Sequence, residues 1–198
     1  MVGKVAYKVI LVKQNEKKVK HFEEMKKENK FLSAFPAIYW KSDREQMFSL
    51  FRKLGIKVKL NRSVLLGPLA IWASNIKLWV DFLRKPEYKG KRYLVVFEDD
   101  VFLHKRFRNI LQRRLIRTGA LRRNGGLLLS NRKGANFICV AYERKHIRRI
   151  LMYLKIVGIK KPIDMQLLGS KMVRKTGLPM VRLNRKVPSE RRKSKRIS

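Results

Sequence analysis

The chain has 198 residues, with 50 Lys and Arg against 14 Asp and Glu, a formal net charge of +36. A hydrophobic content of 45% with 10% aromatics excludes a disordered polycation over most of that length, and one domain is the simplest division. The lone cysteine, Cys139, excludes a disulfide framework or a Cys-rich zinc site; in its apolar run it reads as a buried thiol in a reducing compartment.

Val5 to Val12 is β-rich and reads as the first strand. Glu16 to Asn29 follows as an amphipathic helix, with Val19, Phe22 and Met25 at helical spacing. Phe35 to Trp40 predicts a second short strand. Ser42-Asp43 reads as an N-cap before Met47, Leu50, Phe51 and Leu54, and Gly55 as the stop. Ile56 to Leu60 predicts a brief strand. Gly67-Pro68 opens the next helix, whose apolar face runs through Ile71, Leu78, Trp79 and Phe82 until Pro86. Val64 to Leu83 fails as a membrane span: Asn75, Lys77 and Asp81 interrupt it, where about 18 consecutive apolar residues are wanted. Lys4 and Lys8 break up the first apolar stretch, so no signal-peptide core is read there. The expectation is a cytoplasmic protein, soluble or peripheral to a membrane.

Beyond the strand that ends at Asp100, Phe107, Ile110, Leu111 and Leu115 predict a basic amphipathic helix. Gly125-Gly126 precedes a short strand, Leu127 to Ser130, and Phe137 to Tyr142 is another. The helix Glu143 to Val157 carries Ile147, Ile150, Leu151 and Leu154 on one face, and Pro162 starts a last short helix bearing Asp164. Residues 1–181 read as one domain and 182–198 as a disordered basic tail. Strands alternating with helices predict an α/β fold with a largely parallel central sheet flanked by helices. Neither GxGxxG after the first strand nor GxxxxGK[ST] is present, so any nucleotide is held by another device.

That device is the strand end. Tyr93 to Phe97 is an apolar run of strand length that stops in Glu98-Asp99-Asp100, three adjacent acids in a chain that has few. In open α/β sheets, ligands collect beyond the carboxyl ends of parallel strands. Carboxylates there suit a hard divalent cation shared with substrate phosphates, and the positive surroundings favour a phosphate-bearing ligand. The alternative is an acidic turn that caps the next helix or pairs with surface arginines.

In this light the chain resembles glycosyltransferase family 25, the lipopolysaccharide and procollagen glycosyltransferases. Leu65 to Trp79 is similar to the family's helix, with Gly67, Ser74 and Trp79 in register. Val95 to Phe102 is similar to its acidic strand end, and Phe137 to Leu151 with Pro162-Ile163-Asp164 to its C-terminal region. Val9 to Met25 resembles its opening strand and helix more loosely. The resemblance implies a GT-A-like fold, a nucleoside diphosphate sugar donor, Mn²⁺ or Mg²⁺, a glycan or glycoprotein acceptor, and inversion at the anomeric carbon. It implies Asp100 as the metal ligand and Glu98 against the donor's ribose or sugar. Asp99 would share either role or orient the strand end, and Ser74 and Asn75 would be polar groups of the donor site. Asp164, at the family's PxD position, is the candidate general base; a helix-terminal charge is its equal alternative. The family's Ser-His pair reads Ser74-Asn75 here, and its Glu after the glycine reads Pro68. Asn75 can hydrogen-bond but cannot titrate.

Two rival readings start from charge. Arg106, Arg108, Arg113, Arg114, Arg117, Arg122 and Arg123 make a basic segment able to contact nucleic acid or an anionic membrane. Yet no recognised nucleic-acid-binding signature is present. A two-metal nuclease would need a further carboxylate, drawn from Asp43, Asp81, Asp164 or Glu143.

Overall fold

A computed structural model describes residues 4–59, 66–129, 138–176 and 181–183. Its centre is a six-stranded sheet in the order β2-β1-β3-β6-β5-β7. The strands are β1 (Val5–Leu11), β2 (Ser33–Pro36), β3 (Tyr93–Glu98), β5 (Gly126–Leu128), β6 (Cys139–Glu143) and β7 (Arg174–Lys175). Pairings β1–β2, β1–β3 and β5–β7 are parallel, whereas β6 runs antiparallel between β3 and β5. The α/β expectation holds, with parallel pairing across the β2-β1-β3 half.

Alternation along β3 explains the layers. Leu94 and Val96 face one core, with Trp72, Trp79 and Phe82 of α3 (Leu66–Arg84) and Ile147, Ile150 and Leu154 of α6 (Arg144–Val157). Tyr93, Val95 and Phe97 face the other, with Phe22 and Met25 of α1 (Glu16–Glu28) and Phe107 of α4 (Phe107–Ile110). Both faces of β3 are covered, which is why it reads as an unbroken apolar run. Trp72 and Trp79 are fully buried, with their rings edge-to-face at 6.4 Å, and serve the core. Cys139 is buried too, and desolvation pushes its thiol well above its ordinary pKa.

Several expectations shift. The strand foreseen from Phe35 to Trp40 ends at Pro36, and Ala37 only continues the contact through its N–H to the Leu11 carbonyl. Asp43 stands at the N-cap of α2 (Arg44–Lys53), but its carboxylate accepts from the Tyr39 N–H behind it and makes no cap bond. Ile56 to Leu60 yields only a parallel bridge, Val58 to Ile159, and Leu60 lies outside the described residues. Ser130 and Phe137, the outer ends of two foreseen strands, also lie outside them.

Phe107 to Leu115 is helical as foreseen, one continuous run that passes from α to π geometry, and the rest of the basic segment forms a separate short helix. The pieces are α4, a π-helical stretch Leu111–Arg117, and α5 (Ala120–Asn124), with Gly119 at φ 70° turning between the last two. Pro162 caps α7 (Ile163–Gly169) as foreseen. Val181–Leu183, β8, pairs antiparallel with β4 (Val101–Leu103), so Arg182 and Leu183 belong to a strand; the rest of the foreseen tail lies outside the described residues. Among the described residues no helix is long and apolar enough to cross a membrane.

Candidate active site

A cleft of about 100 Å³ opens where β1, β2 and β3 present their carboxyl ends. Its walls are Ile10 and Val12 from β1 and its exit, residues 37–40 after β2, Gly67 to Asn75 on one face of α3, and Glu98, Asp99 and Asp100 after β3. Parallel pairing brings these ends together: Ile10 lies opposite Glu98 and Leu11 opposite Pro36. The acidic strand end and the Ser-Asn helix, 23 or more residues apart in sequence, thus share one cavity.

The three acids do different things. Asp99 is 4% exposed and fully committed to the fold. Its Oδ1 takes a charged hydrogen bond from Lys18 Nζ at 2.6 Å, and its Oδ2 accepts the Val12 N–H at 3.0 Å. It therefore ties β3 to the exit of β1 and to the first turn of α1, the orienting role among those the sequence left open. Glu98, half-buried, and Asp100, 8% exposed, line the cleft beside it. Two carboxylates at a strand end fit a Mg²⁺- or Mn²⁺-type ion, which is held by one or two protein carboxylates and completes its shell with water and substrate phosphate.

Ser74 also serves the walls. Its hydroxyl donates to the Ala70 carbonyl at 2.7 Å and accepts the Ile38 N–H at 2.8 Å, pinning the segment after β2 against α3. Asn75 donates from Nδ2 to the Ile71 carbonyl at 3.0 Å and lines the cleft. Asp164 does not line this cleft; its Oδ1 accepts the Met165 N–H at 2.9 Å, the helix-terminal alternative.

Sequence reasoning missed Lys18, Tyr39 and Trp40. Lys18 carried a signal, since it precedes Phe22 and Met25 by four and seven residues and so shares their buried stripe. Tyr39 and Trp40 carried none, because a strand was expected there. Both rings line the cleft, Lys41 lies over each, and the Trp40 indole N–H has no acceptor among the described residues.

The histidines lie elsewhere. His21 is buried with Nε2 2.8 Å from the Val101 carbonyl, and His146 is buried against the Met172 carbonyl at 2.5 Å. The other candidate carboxylates are engaged and do not line the cleft: Asp81 with Lys85 at 2.7 Å, Glu143 with Arg92 at 2.8 Å, and Asp43 with the backbone N–H of the wall residue Tyr39. Among the described residues no group of three or more His, Cys, Asp or Glu side chains could hold a metal ion. The extra carboxylate a two-metal nuclease requires is therefore not supplied by them.

No curated protein matches the chain. A family model does: the one described as glycosyltransferase family 25 (LPS biosynthesis protein) matches residues 6–175, well over half the sequence and spanning every wall of the cleft. The chain is a glycosyltransferase and belongs to family 25.

Proposed function

We propose that the cleft binds a nucleoside diphosphate sugar together with a divalent cation, and that the enzyme passes the sugar to a hydroxyl of a glycan acceptor. The observation that carries this reading is the convergence of Glu98 and Asp100 with the first turns of α3 on one cavity. Asp100 would hold the cation, with the donor's diphosphate completing its shell. Bound there, the cation would supply Lewis-acid stabilisation of the departing diphosphate. The amino-terminal end of α3 adds partial positive charge on the same side of the cleft.

The remaining residues position. Asp99 fixes the strand end that carries Asp100 through its bonds to Val12 and Lys18, and Ser74 holds the Ile38 backbone. Tyr39 and Trp40 offer aromatic faces and an indole donor to the sugar or base. Asn75 stands where the family has a histidine; it donates or accepts a hydrogen bond but takes up no proton. An inverting displacement needs a base for the acceptor hydroxyl. Asp164 stays outside the cleft wall, so we assign that proton to Glu98, the half-buried cleft carboxylate.

The test is thermal-shift and calorimetric screening of nucleoside diphosphate sugars with and without Mn²⁺, repeated on Asp100→Asn. A donor that stabilises the protein only with Mn²⁺ and only when Asp100 is intact supports the assignment. One whose effect survives the substitution removes Asp100 from the cation. The anomeric configuration of the product, read by NMR, decides between inversion and retention.

A further inference from the structure

The opposite end of the same strands carries a second cavity of about 240 Å³, lined by Val5 and Tyr93, the first residues of β1 and β3. It lies about 15–20 Å from the acidic cleft at the rise of an extended strand. Arg92, Arg108, Tyr7 and Gln112 form its half-buried walls, while Lys4, Arg117 and Arg122 stand exposed on its rim. Among the described residues no Asp or Glu lines it.

We propose that this amino-terminal cavity is a separate binding site for a compact polyphosphate group. The inference is independent of the donor cleft and of the reaction assigned to it.

Charge alone would not justify it, because cations cover this protein. Convergence does. Five cationic side chains share one concavity, and among the described residues only Arg92 has a carboxylate partner, Glu143. Gathering like charges costs energy unless an anion completes the set. The walls are also equipped for it. Arg108 is held by stacking over the Phe31 ring at 5.0 Å, and its charge acts on the Tyr7 phenol. Burial keeps that phenol protonated, against the opposing pull of Arg108. Guanidinium forks, an amide and an ammonium suit phosphate oxygens.

The backbone adds a second, independent observation. Gln112, Ile116 and Arg117 reach the cavity from the π-helical stretch, and Gly119 in a left-handed turn completes that side. π-Helical turns are rare and recur at functional sites. The size favours the ligand class: a concavity of about 240 Å³ takes a compact charged group, whereas a nucleic-acid strand needs an extended groove with stacking platforms.

The experiment is calorimetric titration of inorganic tripolyphosphate into the full chain, in EDTA and at physiological salt. Arg117→Glu/Arg122→Glu is compared with Arg113→Glu/Arg114→Glu, an exposed pair from the same stretch that does not line the cavity and changes net charge equally. The proposal expects saturable one-site binding, weakened about tenfold or more by the rim pair and less than about threefold by the control pair. Asp100→Asn should bind as the parent does. Equal weakening by both pairs means adsorption to the general positive field and overturns the site. So does binding of single-stranded DNA or phosphatidylglycerol vesicles, sensitive to the rim pair, in the absence of tripolyphosphate binding. Retained circular dichroism in both variants keeps misfolding from imitating either result.

Discussion

The two ends of β1 and β3 are built from opposite chemistry, and each is informative for a different reason. At the carboxyl end three acids sit together in a protein with few, and their type alone drew notice. At the amino end the cations are as common as everywhere else in the chain. They become meaningful only when the fold turns five of them onto one cavity with no carboxylate among its described wall residues. Residue type therefore flags a site against a contrary background, and only geometry flags it against a matching one. Even at the acidic end type has a limit: Asp99 and Asp100 are chemically identical and both line the cleft, yet Asp99 is clamped into the fold by Lys18 and the Val12 N–H.

The widest separation between the ends should come from Asp100→Asn. It keeps shape and removes one charge from the acidic cleft. Transfer activity should fall about 10³-fold or more, the several kcal/mol expected of a metal-supported leaving group. Thermal stability without donor should barely change, and tripolyphosphate binding should stay intact. Steady-state transfer assays beside a melting curve read both. Activity within about tenfold of the parent would remove the distinction drawn between Asp100 and Asp99.

Within the acidic end, Lys18→Met asks what Asp99 does. The pair is buried on both sides, at 6% and 5% side-chain exposure, so removing the ammonium strands a carboxylate away from water. That should cost about 3–5 kcal/mol in denaturant unfolding. Asp99→Asn should cost less, since an amide oxygen still accepts the Val12 N–H, and the double variant should recover part of the loss. If Lys18→Met abolished transfer at unchanged stability, Lys18 would be a ligand-binding group instead of a strut.

How far the sequence showed these arrangements follows from what each depends on. The β3 run and its acids were visible because both faces of the strand are buried and its end is polar. The α3 helix was visible because its apolar positions recur at helical spacing over 19 residues. The Lys18–Asp99 bond joins residues 81 positions apart, which no local pattern encodes, although the buried stripe of α1 placed Lys18 inward. The β4–β8 ribbon is three residues on each side, too short for any periodicity to register. The π-helical stretch keeps an apolar spacing close to that of an α-helix, so Phe107 to Leu115 was legible as a helix but its π turns were not. Asp164 was chosen by its motif position and scarcity, neither of which carries distance.

At the basic end, Gly125→Ala tests the backbone that supports the cavity's neighbours. Gly125 has φ 80°, and a Cβ there would lie 2.3 Å from His146 Nδ1. Its carbonyl also accepts the Glu143 N–H, next to the acid that holds Arg92. Left-handed strain and overpacking together should cost roughly 2–4 kcal/mol. The acidic cleft does not include this turn, so donor affinity of the folded fraction should be retained. A neutral outcome would mean that His146 swings aside without penalty.

The smallest expected effect is a pH dependence that belongs to the basic end. His146 is buried over Gly125 and Gly126, with Nε2 against the Met172 carbonyl. Burial lowers its pKa from the ordinary value near 6.5, and Arg149 adds to the depression, while the Met172 carbonyl and Glu143 oppose it. The neutral ring is thus the form the folded state prefers. The unfolded chain takes up its proton first as pH falls, so stability is fully present above about 6.5 and is lost as pH drops toward the folded value. Melting temperatures should decline through that window, and His146→Gln, which keeps a donor for the Met172 carbonyl, should flatten the decline. A slope unchanged by the substitution would assign the acid sensitivity to carboxylates, the buried Glu143 beside Arg92 among them.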